Sequence, residues 1–164
     1  MKEEKEFFFQ KIDHLDSGER AVLRRNVGKL LRQADGRAIT VFYRCLPFSV
    51  NNWYDEDKWF AVACIRCLWE PNEEDGQPLE QIISDLLQKE MLSDSVRHRI
   101  GILLDTDWDT DGYLLTKLTR LMKLIRSKSD RAQIDCAELL DDLIYWNRES
   151  QSVQRKWAKT IFSK

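Results

Sequence analysis

Residues 105–112, Asp-Thr-Asp-Trp-Asp-Thr-Asp-Gly, place four aspartates at alternate positions and close on a glycine. Asp107, Asp109, Asp111 and Gly112 fit positions 1, 3, 5 and 6 of a calcium-binding loop. Position 12, which must supply a bidentate carboxylate, is then Leu118. Leu118 belongs instead to an apolar stripe with Leu114, Leu121 and Ile125, so a helix is expected where the loop would have to bend. The stretch therefore reads as an acidic connection that caps the following helix, whose N-terminal amides attract carboxylates.

Other residue types that could do chemistry lack partners. Cys64 and Cys67 form a single CxxC among Ala61, Val62, Ile65 and Leu68, with neither His14 nor His98 near in sequence to complete a zinc site. No βαβ pattern accompanies them, so buried free thiols are expected rather than a redox pair. His98 sits between Arg97 and Arg99 without a serine or cysteine nucleophile motif, and there is no glycine-rich phosphate loop. Glu80 with Asp85, and Glu138 with Asp141 and Asp142, are carboxylates at helical spacing, a pattern more typical of a solvated face than of a catalytic pair. No enzyme, metal or cofactor is implied.

The positive charge is more informative. Residues 17–44 hold seven basic residues against two acidic ones, and residues 113–131 hold six against one, although the whole chain carries −2. On a helix, Lys117, Arg120, Lys123 and Arg126 step around one side while the leucine stripe takes the other. That arrangement would present cations to a phosphate backbone, and the arginine-rich first segment suits bidentate phosphate contacts. A solvated amphipathic face is the alternative. Of the six tryptophans and four tyrosines, which could stack bases, Trp59, Trp146 and Trp157 lie on apolar helical faces and are expected in the core.

Helices must position these groups. Helical periodicity predicts segments at 2–15, 19–33, 37–46, 55–70, 78–92, 93–104, 113–128, 134–147 and 152–162, with no strand alternation and no repeat. Asp16 and Glu19 resemble a capping box for the second segment, and the β-branched third segment could equally be a buried strand. Phe8, Phe9, Ile12 and Leu15 point to the core from the first. The expectation is an all-α compact bundle of about nine helices in a single domain, 1–164, with subbundles at about 1–70 and 78–164 divided by the loop near 71–77. The chain has 164 residues, 43% hydrophobic and 33% charged, an ordinary globular composition. No apolar run approaches a bilayer span, and the first residues, MKEEKEFFFQK, lack the apolar region of a signal peptide, so a cytoplasmic protein without a membrane partner is expected. Four cysteines in a chain this long do not suggest a secreted disulfide scaffold.

Taken together, LDSGERAVLRRNVG at 15–28, FYRCLPF at 42–48, the helix–connection–basic helix at 97–127 and IDCAELLDDLIYWNRESQSVQRKWAKTIF at 134–162 resemble the CasB family, the small subunit of the type I-E CRISPR surveillance complex Cascade. The chain departs from the family at Cys136, where relatives commonly carry Trp or Tyr after the aspartate. The resemblance implies a non-catalytic, all-helical subunit acting in antiviral defence, present as two copies beside other Cascade subunits. It also implies contact with guide RNA and with the displaced single-stranded DNA of the R-loop, where base pairing reads sequence and protein contacts stabilise the opened state. By family match the nucleic-acid contacts fall on Arg24, Arg25, Arg99, Arg120 and Arg148; helical geometry adds Lys117, Lys123 and Arg126. The alternative is a purely protein–protein scaffold whose basic patches meet acidic partners.

Overall fold

The computed structural model describes residues 2–72 and 76–163 and is all-α. Its helices are α1 (Lys2–Asp13), α2 (Ser17–Arg25), α3 (Gly36–Cys45), α4 (Trp53–Arg66), α5 (Leu79–Gln88), α6 (Ser95–Leu104), α7 (Tyr113–Lys128), α8 (Cys136–Ile144) and α9 (Ser152–Phe162). The stretch near 71–77 that the sequence marks as a loop includes residues 73–75, which lie outside the described residues. At its end, Gln77 pairs with Ile134 in an isolated parallel bridge.

Short polar side chains start several of the helices. The carboxylate of Asp16 accepts the Glu19 amide at 2.8 Å, Asp35 accepts that of Ala38 at 2.9 Å, and Asp135 accepts that of Glu138 at 3.0 Å. Each satisfies an amide that the first turn leaves without an intrahelical partner. At α7 the N-cap is Gly112 and no side chain caps the first turn; Asp109 Oδ1 instead accepts the amides of Asp111 and Gly112, both at 3.0 Å, and turns the chain just before the helix. Gly112 then enters the helix at φ +78°, a left-handed conformation that glycine adopts without a Cβ penalty. The acidic connection thus turns the chain into α7, but its carboxylates do not cap the first-turn amides as the sequence suggests.

Helix α4 runs through the middle of the molecule, and every residue from Lys58 to Arg66 is buried. It packs on α1, α2, α7 and α8, while α5 packs on α9 and α6 on α7. Phe8 meets Phe9 and Trp59 edge-on, each at 5.0 Å between centroids, and Phe42 meets Phe60 edge-on at 5.2 Å. Edge-on pairs place the positive ring edge against the negative face. Trp59, Trp146 and Trp157 are core residues as expected. All four cysteines are free and buried, and burial pushes the Cys67 thiol up to about 11 and that of Cys136 up to about 12. Such thiols are protonated at neutral pH and poor nucleophiles.

The structure shortens several expected segments: that over 55–70 ends at Arg66 and that over 134–147 spans Cys136–Ile144, and two others end where local bonds turn the chain. The helix expected over 19–33 ends at Arg25, and residues 31–33 form a separate 3-10 turn. Asn26 turns the chain by donating to Val22 O at 2.8 Å and to Asp35 Oδ2 at 3.1 Å, and Gly28 follows at φ +88°. The segment expected over 78–92 ends at Gln88, where Met91 N–H reaches back to Leu86 O at 2.9 Å and Glu90 takes φ +58°. This is a Schellman ending formed without the usual glycine.

Among the described residues, Glu80, Glu138 and Asp142 form the one trio of potential metal ligands with atoms within 4.8 Å of each other. Lys156 from α9 already supplies the cation, with Nζ 2.7 Å from Asp142, 3.2 Å from Glu138 and 3.5 Å from Glu80. Burial alone would depress the ammonium, but Asp142, Glu80 and Glu138 outweigh it and hold Lys156 above its ordinary value. Burial raises the carboxyl groups of Asp142 and Glu80 despite the hydrogen bonds to Asp142 from Lys156 and Trp157. Lys156→Met leaves two buried carboxylates without a cation, and is expected to cost about 2 kcal/mol at neutral pH, the usual cost of breaking a buried pair discounted for the partial exposure of Lys156. A carboxyl whose folded pKa is raised favours folding below its unfolded value, roughly 4, and loses that contribution as pH rises through the folded value. The native ammonium keeps its contribution until pH passes the ordinary lysine value, roughly 10.4. The deficit of the variant should therefore be larger at pH 7.5 than at pH 4.5 in denaturant titrations; equal deficits would contradict this account.

Candidate nucleic-acid interface

The cationic side chains marked by the sequence fall into three settings. Arg99 from α6 and Lys117 and Arg120 from α7 line one groove of about 200 Å³ between these two helices. Its floor is apolar, made by Val96, Ile100, Leu103 and Leu121, and exposed Ile102 stands at its rim. Helices α6 and α7 pack through these apolar residues, so basic side chains at the edges of both helices converge over an apolar floor. Lys117 Nζ lies 5.6 Å from the Tyr113 ring, and Lys123 is exposed one turn beyond Arg120.

Helix geometry divides the row of cations on α7. Residues three apart are separated by 300°, so three such steps carry Arg126 to the side opposite Lys117. There the Arg126 Nε donates to Leu68 O at 2.9 Å, at the C-terminal end of α4. Arg24 donates from α2 to the adjacent Cys67 O at 3.4 Å, and buried Arg20 donates to Trp69 O at 2.7 Å. Three successive carbonyls past the end of a buried helix thus each meet a guanidinium, where the helix dipole is negative.

The remaining two residues stand apart from the groove. Arg25 is exposed in the last turn of α2, and Arg148 is exposed between α8 and α9, its guanidinium 3.9 Å from the Tyr145 ring centroid. None of the eight forms an ion pair among the described residues. Other basic side chains are neutralised: Arg66 binds Asp13 at 2.9 Å, and Lys5 binds Asp141. Arg155 and Lys159 of α9 are also exposed and unpaired among the described residues. Sequence reasoning passed over them, although their four-residue spacing on an amphipathic helix signals a shared outer face.

These settings respond differently to substitution. Arg126→Gln removes a charge-assisted hydrogen bond to a helix end and should lower stability by about 1–2 kcal/mol. Arg120→Gln, at an exposed edge, should stay within about 0.5 kcal/mol of the native protein. Urea unfolding of both variants checks the division; equal losses would place Arg120 in the structural group too.

The family model described as CRISPR-associated protein Cse2 matches residues 19–161. A CRISPR-associated protein Cse2 of Thermus thermophilus is 29% identical over 119 residues, covering 71% of this chain and 64% of that protein. The match therefore spans less than two thirds of the relative's own length. Among solved structures, a Cse2-family protein from Thermus thermophilus superposes with a TM-score of 0.76 at 24% identity, covering 98% of each chain. CasB from M. ruber gives 0.73 at 22% identity, covering 97% of this chain and 92% of that one. A chain of a CRISPR RNA-guided surveillance complex gives 0.76 at 23% identity, covering 98% and 92%. At these identities the structural likeness establishes the fold.

Proposed function

The chain belongs to the CRISPR-associated Cse2 family, and from that premise we propose that it is the non-catalytic small subunit of a type I-E CRISPR RNA-guided surveillance complex. In this reading it holds nucleic-acid backbone, chiefly the displaced DNA strand, and stabilises the R-loop. One observation carries it: Arg99, Lys117 and Arg120 converge on one groove without an anionic partner among the described residues. Unneutralised cations, exposed at Arg99 and Arg120 and half-buried at Lys117, concentrate positive potential locally on a chain of net −2, and that suits a phosphate chain. The apolar groove floor suits a strand whose bases and sugars are unpaired, because a duplex offers mainly phosphate and groove edges at its surface.

The energetics are compatible with modest contacts. Exchange of a DNA duplex for an RNA–DNA heteroduplex is nearly balanced, so a few backbone contacts can tip it. Each neutralised phosphate of a single strand contributes about 0.7 to the slope of log affinity against log salt. Lys123 extends the row from the groove, and Arg25 and Arg148 supply further exposed cations. Arg24 and Arg126 would reach a strand only with donors left over from the α4 carbonyls; a guanidinium has five N–H groups, so such sharing is available.

The test is Arg99→Glu/Arg120→Glu in the assembled complex. Helicity and co-assembly should be retained, target-DNA affinity should fall about tenfold or more, and the salt slope should drop by about 1.4. Loss of the subunit from the complex before DNA is added would instead assign these cations to acidic surfaces of neighbouring proteins, the scaffold reading.

A further inference from the structure

The acidic connection that introduces α7 has a second face. Trp108, Asp109 and Thr110 form one wall of a cleft of about 400 Å³ whose other walls come from α3, the start of α4 and the 3-10 turn. Tyr43, Trp53 and Tyr54 line it, and all three rings are exposed, Trp53 to 84%. A tryptophan so exposed, beside two exposed tyrosines, is more aromatic surface than a lone helical bundle usually keeps in one place. Aromatic residues on this scale characterise the centre of protein interfaces.

Charge decides what such a surface accepts. Asp57 and Asp109 stand in the cleft, each with Oδ1 occupied, by the amides of Leu31 and of Asp111 and Gly112 respectively. Their second oxygens have no partner among the described residues. Glu56 beside Asp57, and Asp107 and Asp111 on either side of Asp109, add acid in the same two segments, and Glu56 accepts a hydrogen bond from Tyr43 OH at 3.2 Å. Arg32 is the one cation in the lining; Lys58 nearby is buried, its Nζ 5.8 Å from the Trp108 ring, and desolvation pulls its ammonium below the ordinary value. A phosphate chain would be repelled here, so these rings are not a base-stacking platform. Free carboxylate oxygens beside exposed aromatic faces are the complement of a guanidinium or ammonium carried on an apolar stem.

We propose that this cleft docks an extended basic segment, bearing arginine or lysine, of a different protein in the same assembly. The cation lies between the free oxygens of Asp57 and Asp109, and its stem lies against Trp53 and Tyr54. The inference rests on the reading of this chain as a subunit of a larger complex, and it is independent of which residues hold nucleic acid.

A photo-crosslinking residue, p-benzoylphenylalanine, placed at position 53 in the purified complex tests it directly. The expected product is an adduct with another subunit, mapped to a peptide that carries arginine or lysine at the attachment point. Asp57→Asn/Asp109→Asn keeps both Oδ1 acceptors, and hence the backbone bonds they make, while removing both charges. In that background the adduct should fall about fivefold or more, since charged hot-spot contacts dominate such docking. An adduct to nucleic acid, an adduct to a second copy of this chain, no adduct, or a yield insensitive to the double substitution would each overturn the proposal. Target-DNA binding by the same complexes separates the two readings: a failed cleft with normal DNA binding and a normal effect of Arg99→Glu/Arg120→Glu leaves the nucleic-acid role standing.

Discussion

A helix buried up to its last turn leaves carbonyls that water cannot reach, and this constraint organises the molecule. Helix α4 is such a helix: its own last carbonyls accept the backbone amides of residues 67–69, and the carbonyls of those three residues, where the chain leaves the helix, are met by side chains from other elements. Arg20, Arg24 and Arg126 donate to the carbonyls of Trp69, Cys67 and Leu68, so α2 and α7 are drawn to the same point. Arg66, in the last turn, is itself buried and holds Asp13 through both carboxylate oxygens, at 2.9 Å and 3.1 Å. That pair fixes the end of α1, and Trp69 Nε1 adds a bond to Ser129 O just past α7. Leaving any of these groups unpaired would cost more than forming the bond gains, which makes the junction a constraint on arrangement more than a source of net stability.

The junction also consumes positive charge. Basic residues dense in sequence divide into those that bind carbonyls inside the protein and those left at its edges, and only the second group is fully available to a polyanion. Periodicity governs the division: α7 turns Lys117 and Arg120 toward α6 and turns Arg126 toward α4. A chain with a slight excess of acid can therefore carry a cationic groove at one place and a carboxylate-lined aromatic cleft at another, with the acidic connection between α6 and α7 contributing to the latter. Net charge conveys little about either surface.

The fold was largely legible in the sequence because leucine, phenylalanine and isoleucine recur at helical spacing and aspartates stand at the helix starts. What escaped was backbone geometry set by tertiary contacts. The second helix reads through Asn26 and Gly28 in sequence, yet Asn26 finds Asp35, nine residues on, and the chain turns there. The end of α5 carried no glycine to announce it, since Glu90 accepts the left-handed conformation. Within the candidate site, Arg99, Lys117 and Arg120 were nameable as basic positions. Their convergence depended on how α6 lies on α7, which no local pattern encodes. Arg20 was counted among the charges and gave no sign of burial, because its partners are a carbonyl from beyond α4 and the carboxylate of Asp13.

The distribution of the tryptophans has an optical consequence. Trp59, Trp69, Trp108, Trp146 and Trp157 are each exposed by no more than 4%, whereas Trp53 stands in solvent. Emission from the native chain therefore has a blue, shielded component from five indoles and a red component, accessible to collisional quenchers, from one. That single indole sits in the aromatic cleft, so the red edge of the spectrum reports on the wetting of that surface alone.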